Sequence, residues 1–490
     1  MNDQAGKDQT PNEGNDGKFV IEGDDRSQLT LWALEGAEQV NPAEPGQERE
    51  PLSAQTAHNL HPPKATGLWE QAFSPASLHK ALQRVEANKG APGPDGMDVS
   101  QLRSHIQSSW QGIRKSLDEG TYRPTPVKRI VIPKPDGGQR ELGVPTVLDR
   151  LIQQALLQVL VPVFDPIFSD SSFGFRPRRS AHMAVKAAQG YVEQGDAWVV
   201  DIDLDRFFDR VNHDALMARV ARKVGDKQVL KLIRRYLEAG VMVEGVKVEA
   251  ELGTPQGSPL SPLLANIMLD DLDKELEKRG HRFVRYADDL RVYVKTERAA
   301  LRVQDSITSF IEKRLKLKVN RDKSGVAPAT KRGLLGFGFL QRKGRVNIRV
   351  DPKARKAMLN TIRRLTARTW GISMEVRIAA LNRFIRGWTA YFALADTPSV
   401  FEETDKWLRR RLRQVRWKQW KRPSTRRQNL RALGIPVQKA YEWSYSRRGY
   451  WRIAGSAPLQ RAMPNAYWSG IGLVGFKESY GRVRQAWRIA

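Results

Sequence analysis

Acids set into apolar stretches are the first sign of chemistry in this sequence. Trp198, Val200, Ile202 and Leu204 alternate as on a strand with one buried face, which puts Asp201 and Asp203 on the other. A second pair, Asp288-Asp289, sits between two short apolar runs within Phe283–Val294, well beyond Asp203 in the chain. Two hairpin-like elements can bring these acids together. Clustered carboxylates repel one another unless a hard divalent cation holds them, and Mg²⁺ takes oxygen ligands in octahedral geometry. Two such ions about 3.5–4 Å apart serve nucleotidyl transfer, one activating the attacking hydroxyl and the other steadying the leaving group. Simpler readings stand beside this one. Asp forms turns, so Asp288-Asp289 alone also reads as a solvated turn. Asp201 and Asp203 also read as ion-pair partners of a neighbouring arginine.

Composition narrows the partner. The 490 residues carry 82 Lys+Arg against 54 Asp+Glu, a formal net charge of +28 that points to a polyanion. The segment 1–60 holds twelve acids and four bases, so it contributes −8 and the remainder carries +36. With 40% hydrophobic residues and 13 Trp, most of the chain should fold, in roughly three domains' length of sequence. The sequence contains no cysteine, which excludes disulfides, thiol catalysis, Cys-ligated zinc and iron–sulfur clusters. The N-terminus lacks a basic and then apolar leader, and no uncharged apolar run approaches the length of a bilayer span. No membrane partner and a cytoplasmic location are expected.

The elements that must position the acids follow from patterning. Residues 1–65 read as an acidic, disordered tail, rich in Gly, Gln, Asn and Pro. Leu78, Leu82 and Val85 mark a helix ending in the turn-rich Asn88–Gly96; Val127–Pro133 reads as a strand and Lys134–Gly138 as a hairpin turn. Leu148, Leu151, Ile152, Ala155, Leu156, Val159 and Leu160 form one face of a core helix. Further helices are expected over Asp214–Glu238 and Leu263–Lys278, with a hairpin over Val241–Glu249. Asp351 reads as an N-cap with Pro352 at the first helical position. Residues 406–427 hold eleven Lys/Arg, no acid, and Trp407, Trp417 and Trp420. Such a run is usually a solvated helix face, but interleaved indoles also suit stacking on unpaired bases beside phosphate contacts.

Seven segments in order carry a resemblance: Lys128–Pro145, Phe173-Gly-Phe-Arg-Pro-Arg-Arg-Ser180, Asp201-Ile-Asp-Leu-Asp-Arg-Phe-Phe-Asp209, Gly253-Thr-Pro-Gln-Gly-Ser-Pro-Leu-Ser-Pro262, Arg285-Tyr-Ala-Asp-Asp-Leu290, Leu317–Ser324 and Leu334-Leu-Gly-Phe-Gly338. From about residue 70 onward the chain resembles group II intron-encoded reverse transcriptase/maturases. The resemblance implies an α+β right-hand polymerase fold, with fingers, a palm built on an antiparallel sheet, and a helical thumb. The expected division is fingers and palm over 66–345, thumb/maturase domain over 346–440, and a basic extension over 441–490 with DNA as an expected partner.

By the same resemblance, Asp203, Asp288 and Asp289 are the catalytic metal ligands for two Mg²⁺ ions, with Mn²⁺ as a substitute, and Asp201 is a non-catalytic neighbour. Phe208 lies under the incoming sugar and favours deoxynucleotides; a core Phe is its plainer reading. Gln256 packs against the nucleotide. Lys134 and Arg140 grip the triphosphate, or are solvated hairpin charges. Lys323 is placed to protonate departing pyrophosphate. Gly336-Phe-Gly338 reads as the strand gripping the primer end. Arg176, Arg409, Arg410, Arg413, Trp417, Lys418 and Trp420 are the expected RNA contacts. Many relatives add a nuclease with His and Cys ligands; with no cysteine and His281 as the last histidine, none is expected here.

The implied activity is RNA-directed DNA synthesis on a group II intron RNA, coupled to binding that RNA for splicing and mobility. Intron RNA, a DNA target or primer and deoxynucleoside triphosphates are the implied partners. A splicing maturase without polymerase activity, and a domesticated reverse transcriptase serving repair or phage defence, remain alternatives.

Overall fold

The computed structural model describes residues 64–133, 139–243, 246–248, 253, 257–342 and 344–489. The acidic tail up to residue 63, Lys134 and Gln256 therefore lie outside the described residues, as does the side chain of Arg140.

β1 (Val127–Pro133) and β2 (Gln139–Val144) pair antiparallel with Pro133 opposite Gln139, the register expected of a hairpin; its turn lies outside the described residues. The apolar helix follows as α1 (Val147–Phe164), started by Thr146, whose hydroxyl accepts from Asp149 N at 3.0 Å. Val147–Ile167 is long and apolar enough to cross a membrane by length and composition, although Asp149, Arg150 and Asp165 interrupt it, and half of its most apolar stretch is buried inside the protein. Val147, Leu151, Ile152, Ala155, Leu156 and Leu160 face a core formed with other helices.

Ser180 caps α2 (Ala181–Glu193), and β3 (Trp198–Ile202) follows. The expected helix over Asp214–Glu238 is two, His213–Val220 and Lys227–Glu238, because Asp226 accepts from Gln228 N and Val229 N and starts a new one. β4 (Val241–Val243) and β5 (Val246–Val248) form the expected hairpin, and β4 also runs parallel to β1. Beyond α3 (Ser261–Lys278) come β6 (Arg282–Tyr286), β7 (Asp289–Val294), α4 (Glu297–Phe310) and β8 (Gly325–Pro328). β6, β7, β3 and β8 lie side by side in that order, and every pairing is antiparallel.

Alternation along these strands separates two cores. Val200, Ile202, Phe283, Leu290 and Val292 join α1, α3 and α4 on one face. Val199, Val284, Tyr286 and Tyr293 point the other way, toward α2, the hairpin of β9 (Phe337–Arg342) and β10 (Arg345–Val350), and the C-terminal helices. Those helices are α5 (Pro352–Leu365), started as expected by Asp351 and Pro352, then α6 (Met374–Phe392), α7 (Pro398–Gln419), α8 (Tyr450–Ala454) and α9 (Phe476–Ile489). The divisions expected at 345/346 and 440/441 fall inside β10 and inside the helix Val437–Ser444, and the second core draws on residues to either side of both.

Candidate active site and nucleic-acid interface

Register brings the acids together. β3 and β7 pair Asp201 with Arg291 and Ile202 with Leu290, so Asp203, the residue after β3, and Asp289, the first of β7, lie at the same end of this strand pair. Tyr286 pairs with Asp289 across β6 and β7, which leaves Ala287-Asp288 as the two central residues of a tight hairpin. All three expected ligands thus meet at one end of the sheet. Asp203 is fixed by its backbone: its N–H donates to Ser324 Oγ at 2.9 Å, and its carbonyl accepts from Asn320 N at 2.8 Å. Lys323 is exposed on that same turn, its N–H donating to Asn320 Oδ1 at 3.3 Å.

Asp201 has a different task. Its Oδ2 lies 3.4 Å from Arg291 Nη2 and 3.3 Å from Arg332 Nη1. Burial pushes its carboxyl above the usual range, while Arg291 pulls it back. Arg291 also reaches Asp289 Oδ1 at 3.3 Å. The ion-pair reading open at the sequence level therefore holds for Asp201. Asp203, Asp288 and Asp289 offer oxygen donors only, the set a hard divalent cation prefers. Among the described residues, no group of three or more acidic or histidine side chains is drawn up tightly enough to hold an ion.

Phe208 is half-buried, its ring edge-on to Phe207 with centroids 5.2 Å apart. Gly253, the first residue of the loop that carries Gln256, lies against the Phe208–Asp209 backbone, where a Cβ would come within 2.9 Å of the Phe208 carbonyl. At the expected primer-gripping strand, Leu335 and Gly336 both have positive φ, and Tyr391 of α6 donates to the Leu335 carbonyl at 2.9 Å.

Four of the expected RNA contacts need correction. Trp417 is 1% exposed and Trp420 is buried beside it. Arg413 is buried, donates from Nε to Ala454 O at 2.8 Å, and is pulled down to about 10 by that burial. Arg176 is buried as well, reaching Asp165 Oδ1 and the carbonyls of Asp165 and Ser172 at 2.8–2.9 Å. Buried rings and satisfied guanidinium groups present no face to a base. Arg409, Arg410 and Lys418 keep part of their surface in solvent.

The exposed aromatics lie elsewhere, among residues that sequence reasoning did not single out. Arg410 lies over Trp451 at 4.0 Å, Arg368 over Tyr450 at 4.9 Å and Arg427 over Tyr441 at 5.4 Å. Trp451 is 38% and Tyr441 53% exposed. These are planar groups already paired with cations, the form that stacking on unpaired bases takes. The signal available in sequence was Arg-rich flanking of Tyr450-Trp451, at Arg447, Arg448 and Arg452.

Residues 132–339 match the family described as reverse transcriptase (RNA-dependent DNA polymerase), and residues 355–434 match the group II intron maturase-specific domain. Protein YkfC of Escherichia coli K12 is 30% identical over 352 residues, covering 62% of this chain and 91% of that protein. The group II intron-encoded protein LtrA of Lactococcus lactis subsp. cremoris is 29% identical over 369 residues, 60% of either chain. This chain belongs to the group II intron reverse transcriptase/maturase family. Its fold is the right-hand polymerase fold, with β6, β7, β3 and β8 as the palm sheet. Among solved structures, a chain of a partial Cas6-RT-Cas1–Cas2 complex is 26% identical, covering 49% of this chain and 42% of that one with a TM-score of 0.32. For this reverse transcriptase/maturase, the matched reverse transcriptase segment contains Asp203, Asp288 and Asp289, and the matched maturase segment contains most of α5 to α7.

Proposed function

We propose that this protein is an RNA-directed DNA polymerase that copies a group II intron RNA and also binds that RNA to promote its splicing and mobility. The observation that carries the reading is the register that brings the end of β3, next to Asp203, to the Ala287-Asp288 turn and Asp289, while Asp201 is withdrawn into ion pairs. Asp203, Asp288 and Asp289 would hold two Mg²⁺ ions, which supply Lewis-acid activation of a primer 3′-hydroxyl and neutralise charge on the departing pyrophosphate. Lys323, exposed on the turn that grips the Asp203 backbone, would donate a proton to that pyrophosphate. Lys134 and Arg140 would offset triphosphate charge, and Gln256 would pack on the nucleotide, its loop starting at Gly253 against Phe208.

Primer extension by the purified protein on an RNA template with Mg²⁺ and deoxynucleotides tests this. Template-dependent product is expected; RNA binding without any synthesis would leave the second reading, a splicing maturase lacking polymerase activity. That alternative draws on the absence of a tight three-carboxylate group among the described residues.

Two further outcomes follow at single residues. If Phe208 sits under the sugar, Phe208→Val should lower the preference for deoxynucleotides over ribonucleotides roughly 10- to 100-fold, read as the ratio of kcat/KM values. Unchanged discrimination would return Phe208 to a packing role. Trp451→Ala removes an exposed ring from beneath Arg410, and intron RNA affinity should fall by about 1–3 kcal/mol with little change in Tm. Unchanged RNA affinity in a titration at fixed salt would remove Trp451 from the interface.

A further inference from the structure

The Ala287-Asp288 turn contains a conformation that its own residue does not favour. Ala287 has φ +56°, as the first central position of a twisted two-residue hairpin requires, yet glycine or asparagine is the usual occupant. Something outside the turn must hold it.

The holder is a guanidinium. Arg285 is 0% exposed, and each of its five N–H donors has an acceptor. Nε and Nη2 meet Asp273 Oδ1 and Oδ2 at 2.7 and 2.5 Å. Nη2 also meets Ser172 Oγ at 2.8 Å, and Nη1 meets Asn266 Oδ1 at 2.8 Å. The remaining bond runs from Nη1 to the carbonyl of Ala287 itself, at 2.9 Å. Asn266 on α3 works in both directions, since its Nδ2 donates to Gly174 O at 2.9 Å. Gly174 in turn lies flat on the turn: a Cβ there would overlap Ala287 N and stand 2.9 Å from Tyr286 C. The segment leading to Gly174 is tied to β6, with Arg285 N donating to Ser171 O and Phe173 N donating to Arg285 O, both at 2.9 Å.

A buried ion pair is weak evidence for stability, because apolar groups of similar volume often serve as well. A pair that spends one of its three donors beyond Asp273 on the strained residue of a turn bearing an expected metal ligand points to alignment. We propose that Arg285, clamped by Asp273 and Asn266 and backed by Gly174, is a positioning residue: it holds Ala287 in the left-handed region and so aims the Asp288 carboxylate at the reacting centre. This rests on the polymerase reading for its consequence, although the brace itself does not depend on it.

The test uses the full chain with a DNA primer on an RNA template, in three variants: Asn266→Ala, Gly174→Ala and Asn266→Ala combined with Ala287→Gly. Mn²⁺ binding is titrated by electron paramagnetic resonance beside kcat for primer extension and a thermal melt. Both single variants should bind Mn²⁺ about 10- to 100-fold more weakly and lose roughly 100-fold in kcat. Glycine at 287 accepts positive φ without help, so the double variant should recover much of both losses. Wild-type Mn²⁺ affinity in folded Asn266→Ala and Gly174→Ala would overturn the proposal, and so would losses that Ala287→Gly leaves untouched. Should Asn266→Ala fail to fold, Gly174→Ala alone decides, since it presses on the turn without removing any hydrogen bond. A wild-type protein that binds Mn²⁺ but makes no DNA would end the polymerase reading, and the titration would still judge the brace.

Discussion

Asp288→Ala is expected to abolish RNA-templated DNA synthesis, by about 10³-fold or more, while RNA binding stays within twofold of wild type. The magnitude follows from what a lost metal ligand removes: charge stabilisation that exists only as the phosphoryl group transfers, with each factor of ten in rate corresponding to about 1.4 kcal/mol. RNA affinity is expected to stand because the exposed cation–aromatic pairs lie in the C-terminal helical region, at Arg410, Arg427 and, in the turn after α5, Arg368. Asp203→Asn should behave like Asp288→Ala. Asp201→Asn should not: its carboxylate is engaged with Arg291 and Arg332, so synthesis should remain within about tenfold while the melting temperature drops, a buried pair losing one charge. Single-turnover extension and a melt on the three variants separate these outcomes. Equal loss of synthesis in all three would make Asp201 part of the catalytic set and refute the division drawn from register.

That division shows what sequence could and could not carry. Period-two alternation from Trp198 to Leu204 was enough to place both acids on one face of a strand, because one face of β3 is fully committed to a core. Which acid works and which is ion-paired was not legible from alternation, since Arg291 and Arg332 are remote from Asp201 along the chain and only the pairing of β3 with β7 and β8 unites them. Local signals fared well wherever the physics is local. Asp351 with Pro352 starts α5 as expected, because a cap needs only its own first turn. The break at Gly225-Asp226 was missed although Asp226 is a strong cap, because apolar periodicity resumes immediately beyond it and hides the interruption. The brace around Ala287 was beyond reach: Ser172, Asn266 and Asp273 are far from one another or from Arg285 in the chain, and no spacing announces that they converge.

The basic stretch of α7 shows the opposite error, in which a local pattern was read correctly and its environment was not. Eleven cations and no acid over residues 406–427 imply a helix turned to solvent, yet Phe401, Leu408, Leu412 and Val415 mark a buried stripe along the same helix. That stripe is covered by α8, which follows α7 after two further helices, Pro423–Ala432 and Val437–Ser444, and by α9, which comes after two more, Ala457–Ala462 and Asn465–Gly470. Trp417 belongs to the covered side, its indole capped by the Arg426 guanidinium at 4.5 Å. Trp417→Ala should therefore act on stability. Truncating a fully buried Trp costs about 3–5 kcal/mol in transfer and cavity terms, a large share of the net stability of an ordinary domain. Denaturant melts should show that loss, while RNA titrations at a temperature where the variant is folded should give an affinity near wild type. Trp451→Ala should give the reverse pattern, with affinity lost and stability kept. A Trp417→Ala protein that melts like wild type but releases RNA would mean that α7 opens to expose the indole when RNA binds, and the burial seen here would then describe the unbound protein alone.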